Sequence, residues 1–163
     1  MLEPVDSAAW EEESARLNFE PMLNGWKPQS FRFLEEYPEV IGNGGFATTG
    51  ALMVSELMAD AFRALQGTNL ELLPVFVEGE HWYVVNCLAA VHGIDKVNSA
   101  YVTALDGRIT TVKRFVIDSS AVAELTVFCL AETERGQLFF SHDCIGNFSK
   151  LSGVAFRCVG EAC

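Results

Sequence analysis

Gly42, Gly44 and Ala47, in the stretch VIGNGGFATTG at residues 40–50, stand at the spacing of a dinucleotide-binding fingerprint. In that motif the backbone N–H groups of a glycine turn cradle a pyrophosphate at a helix N-terminus. The chemistry needs a buried parallel strand before the first glycine, a helix opening at the last, and an acid about 20 residues further on. Here the run before Gly42 is only EVI, directly after Pro38, and the best helix begins near Ser55, with Asp60 inside it. The stretch therefore reads as an adaptable loop leading into the core, and no cofactor is expected.

His81, His92 and His142, together with Asp95, Asp143 and the cysteines, are the residue types of a metal site or a Cys/His pair. SHDC packs three ligand types into residues 141–144, but ligands on one helix face need i, i+3 or i+4 spacing, and neighbours point roughly 100° apart. Ser141 and Asp143 read more simply as the capped first turn of a helix. Cys144, close to that N-terminus, would be a lowered-pKa thiolate if exposed. No G-x-S-x-G elbow and no cysteine motif with a downstream histidine is present, so neither a metal nor a catalytic residue is expected.

Carboxylates form the third constellation: EEE at residues 11–13, LEEYPE at 34–39 and VEGEHW at 77–82. Runs of adjacent acids mark a solvated face more often than an acid/base pair. Beside Trp10 and Trp82 they also match an interface for an Arg/Lys-rich protein. The expected partner contacts are Trp10, Glu11, Glu12, Glu13, Glu35, Glu36, Glu78, Glu80 and Trp82.

The elements that must carry these residues are legible from residue 51 onward. LMV is a short apolar strand, Ser55 suits an N-cap, and Leu57, Met58, Ala61, Phe62 and Leu65 share a helical stripe ended by Gly67. LELLPVFV and HWYVVNCLA predict an antiparallel hairpin across EGE, with Pro74 marking an unpaired side. SAYVTAL and RITTVKRFVI flank Asp106-Gly107, the pair a type I′ turn prefers. LTVFCLA and QLFF repeat the theme, a helix follows over HDCIGNFSKLS, and VAFRCV predicts a final strand. Residues 1–50 look less regular, and three of the five prolines lie in 18–50. The expectation is one α+β domain over 1–163, with a mainly antiparallel, twisted sheet built from hairpins, two or three helices, and its core over 51–160.

Composition narrows the function. The net charge is −11, and residues 1–40 carry −6 of it, nine acids against three bases. Nucleic acid and an anionic membrane would be repelled, whereas a basic protein would be steered in. The N-terminus carries acids where a signal peptide needs a basic start, and no stretch is long and apolar enough to cross a bilayer, so a cytoplasmic protein is expected. Five cysteines, without a C-x-x-C pair and mostly inside apolar runs, read as free buried thiols.

Five stretches, LMVSELMADAF, LELLPVFVEGEHWYVVNCLAAVHGID, NSAYVTALDGRITTVKRFVID, VFCLAETERGQLFFSHD and LSGVAFRCV, resemble in order and detail the immunity-protein family of bacterial polymorphic toxin systems, of the myxobacterial and xanthomonad type. None of them is a catalytic signature. The resemblance implies a cytosolic, non-enzymatic protein that binds a cognate secreted toxin and neutralises it by stoichiometric contact. The acidic charge adds that the toxin presents a basic face. The alternative is a small-ligand-binding or enzymatic domain using the 42–50 glycine loop with His81, His92 or Cys144.

Overall fold

Short apolar runs with a period of two dominate the chain, and they pair into sheets that carry the helices on their faces. The computed structural model describes residues 1–34, 42–65, 69–105, 109–133, 137–151 and 154–159. Its elements are β1 (Leu2–Pro4), helix α1 (Ser7–Ser14), β2 (Ser30–Phe33), β3 (Gly44–Phe46), β4 (Leu52–Ser55), α2 (Glu56–Arg63), β5 (Leu70–Val77) and β6 (Glu80–Cys87). There follow β7 (Ala90–Val91), β8 (Ala100–Thr103), β9 (Ile109–Arg114), α3 (Ser119–Val122), β10 (Val127–Leu130), β11 (Phe139–Phe140) and a 3-10 helix (His142–Phe148). The class is α+β, with a mostly antiparallel, twisted sheet, as the sequence predicts.

The main sheet has six strands in the order β1-β2-β5-β6-β4-β3. All its pairs are antiparallel except β2–β5, and a bridge from Leu2 to Ala47 joins the two edges, so the sheet is nearly closed. Its concave side is filled by Leu2, Trp10, Phe31, Met53, Leu73, Val75, Val77 and Val84. The period of two is visible in β5, where Leu73, Val75 and Val77 point into this core while Leu70 and Leu72 pack on the other side with α2. β2 pairs with β5 only at Ser30↔Phe76 and Phe31↔Val77, so Pro74 stands beyond its end. A proline can sit there because no strand asks for its missing N–H. Its carbonyl instead accepts from Trp26 Nε1 at 2.8 Å.

Residues 1–50, which look irregular in sequence, supply three of the six strands and a helix. Asp6 caps α1 by accepting from Ala9 N at 3.0 Å, and Trp10 from that helix packs edge-on against Phe31 and Trp26. The segment after α1 is pinned across the sheet by polar groups. Glu71 accepts from the backbone N–H groups of Met22 and Leu23 and from Asn86 Nδ2, while the same amide donates to Glu20 O. Asn86 is buried, and such bonds are what make a buried amide tolerable.

Four expectations change. GGF of the glycine stretch is not a loop but edge strand β3, and glycine at position 44 is explained by the approach of α2: a Cβ there would stand 3.1 Å from Met58 Sδ and 3.3 Å from Met53 O. VAFRCV is not a strand; Phe156 instead covers Phe140 and Phe148, with ring centroids 5.2 and 5.4 Å away. The α2 stripe is Met58, Ala59, Phe62 and Leu65, and Leu57 faces outward at 59% exposure. Cys87, Cys129 and Cys144 are buried free thiols as expected, whereas Cys158 is disulfide-bonded. The stops at Gly67 and Gly153 and the turn at Asp106-Gly107 lie outside the described residues, although β8 and β9 do pair antiparallel on either side of that turn.

Candidate functional site

One end of the main sheet gathers acids that are far apart in sequence. The pairings place the start of β1, the end of β2, the β5–β6 turn, the end of β4 and the start of β3 side by side along this rim. The turn is tight: Glu78 and Gly79 both have positive φ, 49° and 83°, which matches the twist of a two-residue hairpin. Glycine adopts that conformation freely, whereas a glutamate there is strained by roughly 1–2 kcal/mol. Two contacts to β2 hold it in place: its N–H donates to Phe31 O at 3.0 Å, and its carboxylate accepts from Phe33 N at 3.1 Å. Glu78 is thus both an exposed anion and the staple between hairpin and β2.

Helix α2 opens at the same rim. Ser55 Oγ accepts from Met58 N, and Glu56 in the first turn and Arg63 in the last complement the helix dipole. Glu56 accepts from Tyr83 Oη and from Arg63, both at 2.6 Å, and Arg63 also donates to Asp60 at 2.6 Å while lying 4.8 Å over the Tyr83 ring. The Tyr83 hydroxyl, then the Arg63 guanidinium, hold the Glu56 carboxyl below the usual carboxylate range. The bond to Glu56 raises Tyr83 above the usual phenol range, and it raises Arg63 as well. All three groups therefore keep their ordinary charge at neutral pH, with Glu56 an anion and Tyr83 neutral.

The residues expected to bind a partner divide four ways. Glu78 and Glu80 are exposed together at the rim. Glu11 and Glu12 are exposed on α1, on another part of the surface: the indole of their neighbour Trp10 donates to Thr49, in the β3–β4 turn at the opposite end of the sheet. Glu35 and Glu36 lie outside the described residues. Trp10, Trp82 and Glu13 need correction as surface contacts. The two indoles are 1% and 6% exposed and belong to the core, Trp82 meeting Phe33 edge-on, and Glu13 is buried against Arg16 at 2.7 Å. Apolar residues pointing outward at the rim end are instead Leu57 and Met1, 59% and 60% exposed. Sequence could have identified Leu57: Met58, Phe62 and Leu65 already form an i, i+4, i+7 stripe, and Leu57 stands one helical step off it.

The groups weighed for catalysis do not converge. His81 is exposed and packs on Phe76 at 5.0 Å, His92 Nδ1 faces Glu132 at 3.4 Å, and His142 is exposed at the start of the 3-10 helix. Cys144 is buried, its thiol directed at Ser141 O at 3.1 Å, and burial pushes its pKa up, so the exposed thiolate does not form. Asp95 is engaged in its own turn, accepting from Val97 N and Asn98 N. Among the described residues no three His, Cys, Asp or Glu side chains stand together as metal ligands. Two clefts, of about 70 and about 160 Å³, lie beside Asn86 and beside β9. Both fall below the roughly 300 Å³ at which small-molecule pockets begin. No helix among the described residues is long and apolar enough to cross a membrane.

No protein-family model matches the chain, and no curated protein matches it.

Proposed function

We propose that the chain is a non-catalytic binding protein that neutralises a basic protein by stoichiometric contact, in the manner of the immunity proteins its sequence resembles. The observation that carries this reading is the rim: this end of the sheet carries exposed Glu56, Glu78 and Glu80 and the outward-facing Leu57 and Met1, on a chain of net charge −11. Charge at a rim acts mainly on encounter: like-signed carboxylates raise the association rate of a cationic partner and repel nucleic acid. Affinity then comes from apolar groups that lose water on contact, and Leu57 and Met1 supply them. A toxin that acts on nucleic acid holds its substrate on a basic face, so an acidic rim placed on that face competes with the substrate without chemistry of its own. The rigid hairpin turn and the capped end of α2 present these side chains on fixed backbone, which lowers the ordering cost of binding.

The test is capture from cells that express the chain, with the purified protein as bait. The expected result is one basic protein, a secreted toxin domain encoded by the neighbouring gene, retained at one copy per bait and inhibited when assayed with it. Retention of a metal or a small molecule with no protein partner would overturn the reading in favour of a ligand-binding or enzymatic domain.

A further inference from the structure

His92 follows β7 and Glu132 follows β10, the parallel pair of the three-stranded sheet β11-β10-β7, so the two residues leave adjacent strand ends. Ala131 N donates to Val91 O at 2.9 Å, which carries the ladder up to these residues. Thr133 N and Oγ1 both donate to Leu130 O at 3.0 Å and close the turn around Glu132. On the other side the chain is pinned at Gly93, where a Cβ would stand 3.0 Å from Leu130 Cδ2 and whose carbonyl accepts from Asp118 N at 2.9 Å. Between these fixed backbones His92 Nδ1 stands 3.4 Å from Glu132 Oε1. The Glu132 side chain is only 8% exposed, and its other oxygen, Oε2, is buried without a hydrogen-bond partner. An ionised carboxylate in such a place is costly unless a cation compensates it. We propose that His92 and Glu132 are the two protein ligands of a divalent transition-metal site, which takes Zn²⁺ between Nδ1 and the Glu132 carboxylate with water in its remaining positions.

Spacing, access and donor type each select this class of ligand. Nitrogen and oxygen ligands on a tetrahedral zinc, each about 2.0–2.1 Å from the ion, stand about 3.3–3.4 Å from one another. A charge-assisted hydrogen bond would instead draw the same two atoms to about 2.7–2.9 Å. His92 is 83% exposed, so an ion meets its imidazole directly from solvent and needs no channel. One imidazole nitrogen and one carboxylate suit zinc or copper, whereas calcium and magnesium are held by sets of oxygen ligands. Among the described residues no third His, Cys, Asp or Glu completes the set, so the site is an exchangeable one rather than a closed structural centre. A bound ion neutralises the buried carboxylate, ties the end of β7 to the turn after β10, and stabilises the folded chain in step with its occupancy. The site belongs to the three-stranded sheet and not to the acidic rim, and it stands whether or not the rim binds a partner.

Zinc chloride titrated into the full chain, followed by calorimetry and by the imidazole NMR resonances of its three histidines, tests this directly. The expected result is one Zn²⁺ per chain, a change at His92 ahead of His81 and His142, and a higher Tm with zinc than without it, while calcium chloride produces none of these. His92→Ala removes an exposed ligand without touching the core, and it should weaken zinc binding about tenfold or more; Glu132→Gln, which keeps the side-chain shape, should do the same. His142→Ala should bind zinc as wild type does. Unchanged zinc affinity in His92→Ala would overturn the proposal. So would equal perturbation of all three histidines, the mark of indiscriminate surface binding, or a titration with neither heat nor a change at His92.

Discussion

Glu56 shows what a single side chain contributes at the proposed contact surface. Its carboxyl is held below its ordinary value of 4.5, first by Tyr83 and then by Arg63. A carboxylate with a depressed folded pKa contributes stability that is complete above the unfolded value and is lost as pH falls through the folded one. Unfolding by urea followed from pH 7 downward should therefore show a loss beginning below about pH 4.5 to which Glu56 contributes, and Glu56→Gln should remove that share. Tyr83 carries the opposite sign. Its raised phenol contributes stability that is complete below 10.0 and lost as pH rises through the folded value, so Tyr83→Phe should flatten the alkaline limb as well. At neutral pH the consequence is an Arg63 guanidinium shared among Glu56, Asp60 and the Tyr83 ring. Of the rim anions, Glu78 also holds Phe33 N–H with its carboxylate, so the anion offered to a partner is chiefly Glu80.

At the scale of elements, helix α2 and strand β3 hold the rim in place, and their contact is specific. Phe62 is 2% exposed and packs against Phe140 and Phe148 at 6.0 and 5.1 Å. Phe62→Ala should cost about 3–5 kcal/mol in urea unfolding, since it leaves a cavity between helix and sheet. Gly44→Ala adds one methyl against Met58 and the Met53 carbonyl, and should lower stability by about 1 kcal/mol, a fall in Tm of about 2–4 °C. These two elements also mark where sequence reading succeeds and where it stops. β4, α2, β5, β6 and the hairpins after them were legible because capping residues, period-two alternation and turn glycines all point the same way. α1 was not, because its short acidic run shows no apolar stripe: only Trp10 and Glu13 are buried, and the helix is held by its cap and by one indole. β3 was hidden because two of its three residues are glycines selected for the approach of a helix rather than for a strand. VAFRCV misled for the opposite reason, since its apolar residues cover neighbouring rings without pairing.

For the whole molecule, the topology assembles what the sequence leaves scattered. Glu56, Glu78 and Glu80 meet because a parallel β2–β5 pair and an antiparallel β5-β6-β4 run bring the ends of those strands to one edge. No local signal in the sequence carries that information. The same folding buries Trp10 and Trp82, which composition alone had made attractive as binding anchors, because large aromatics fill a nearly closed sheet as well as they fill an interface. In the proposed reading the charged rim steers a basic partner and Leu57 and Met1 anchor it.

The central claim, capture of a basic protein by the acidic rim, is tested most directly by the association rate of the captured partner, measured by stopped flow across a range of salt concentrations for wild type and for Glu80→Lys. We expect the wild-type rate to fall about tenfold from low to high salt, and the variant to begin lower by a similar factor and to depend less on salt. Equal rates for the two proteins and a flat salt dependence would contradict it, because the rim would then play no part in the encounter.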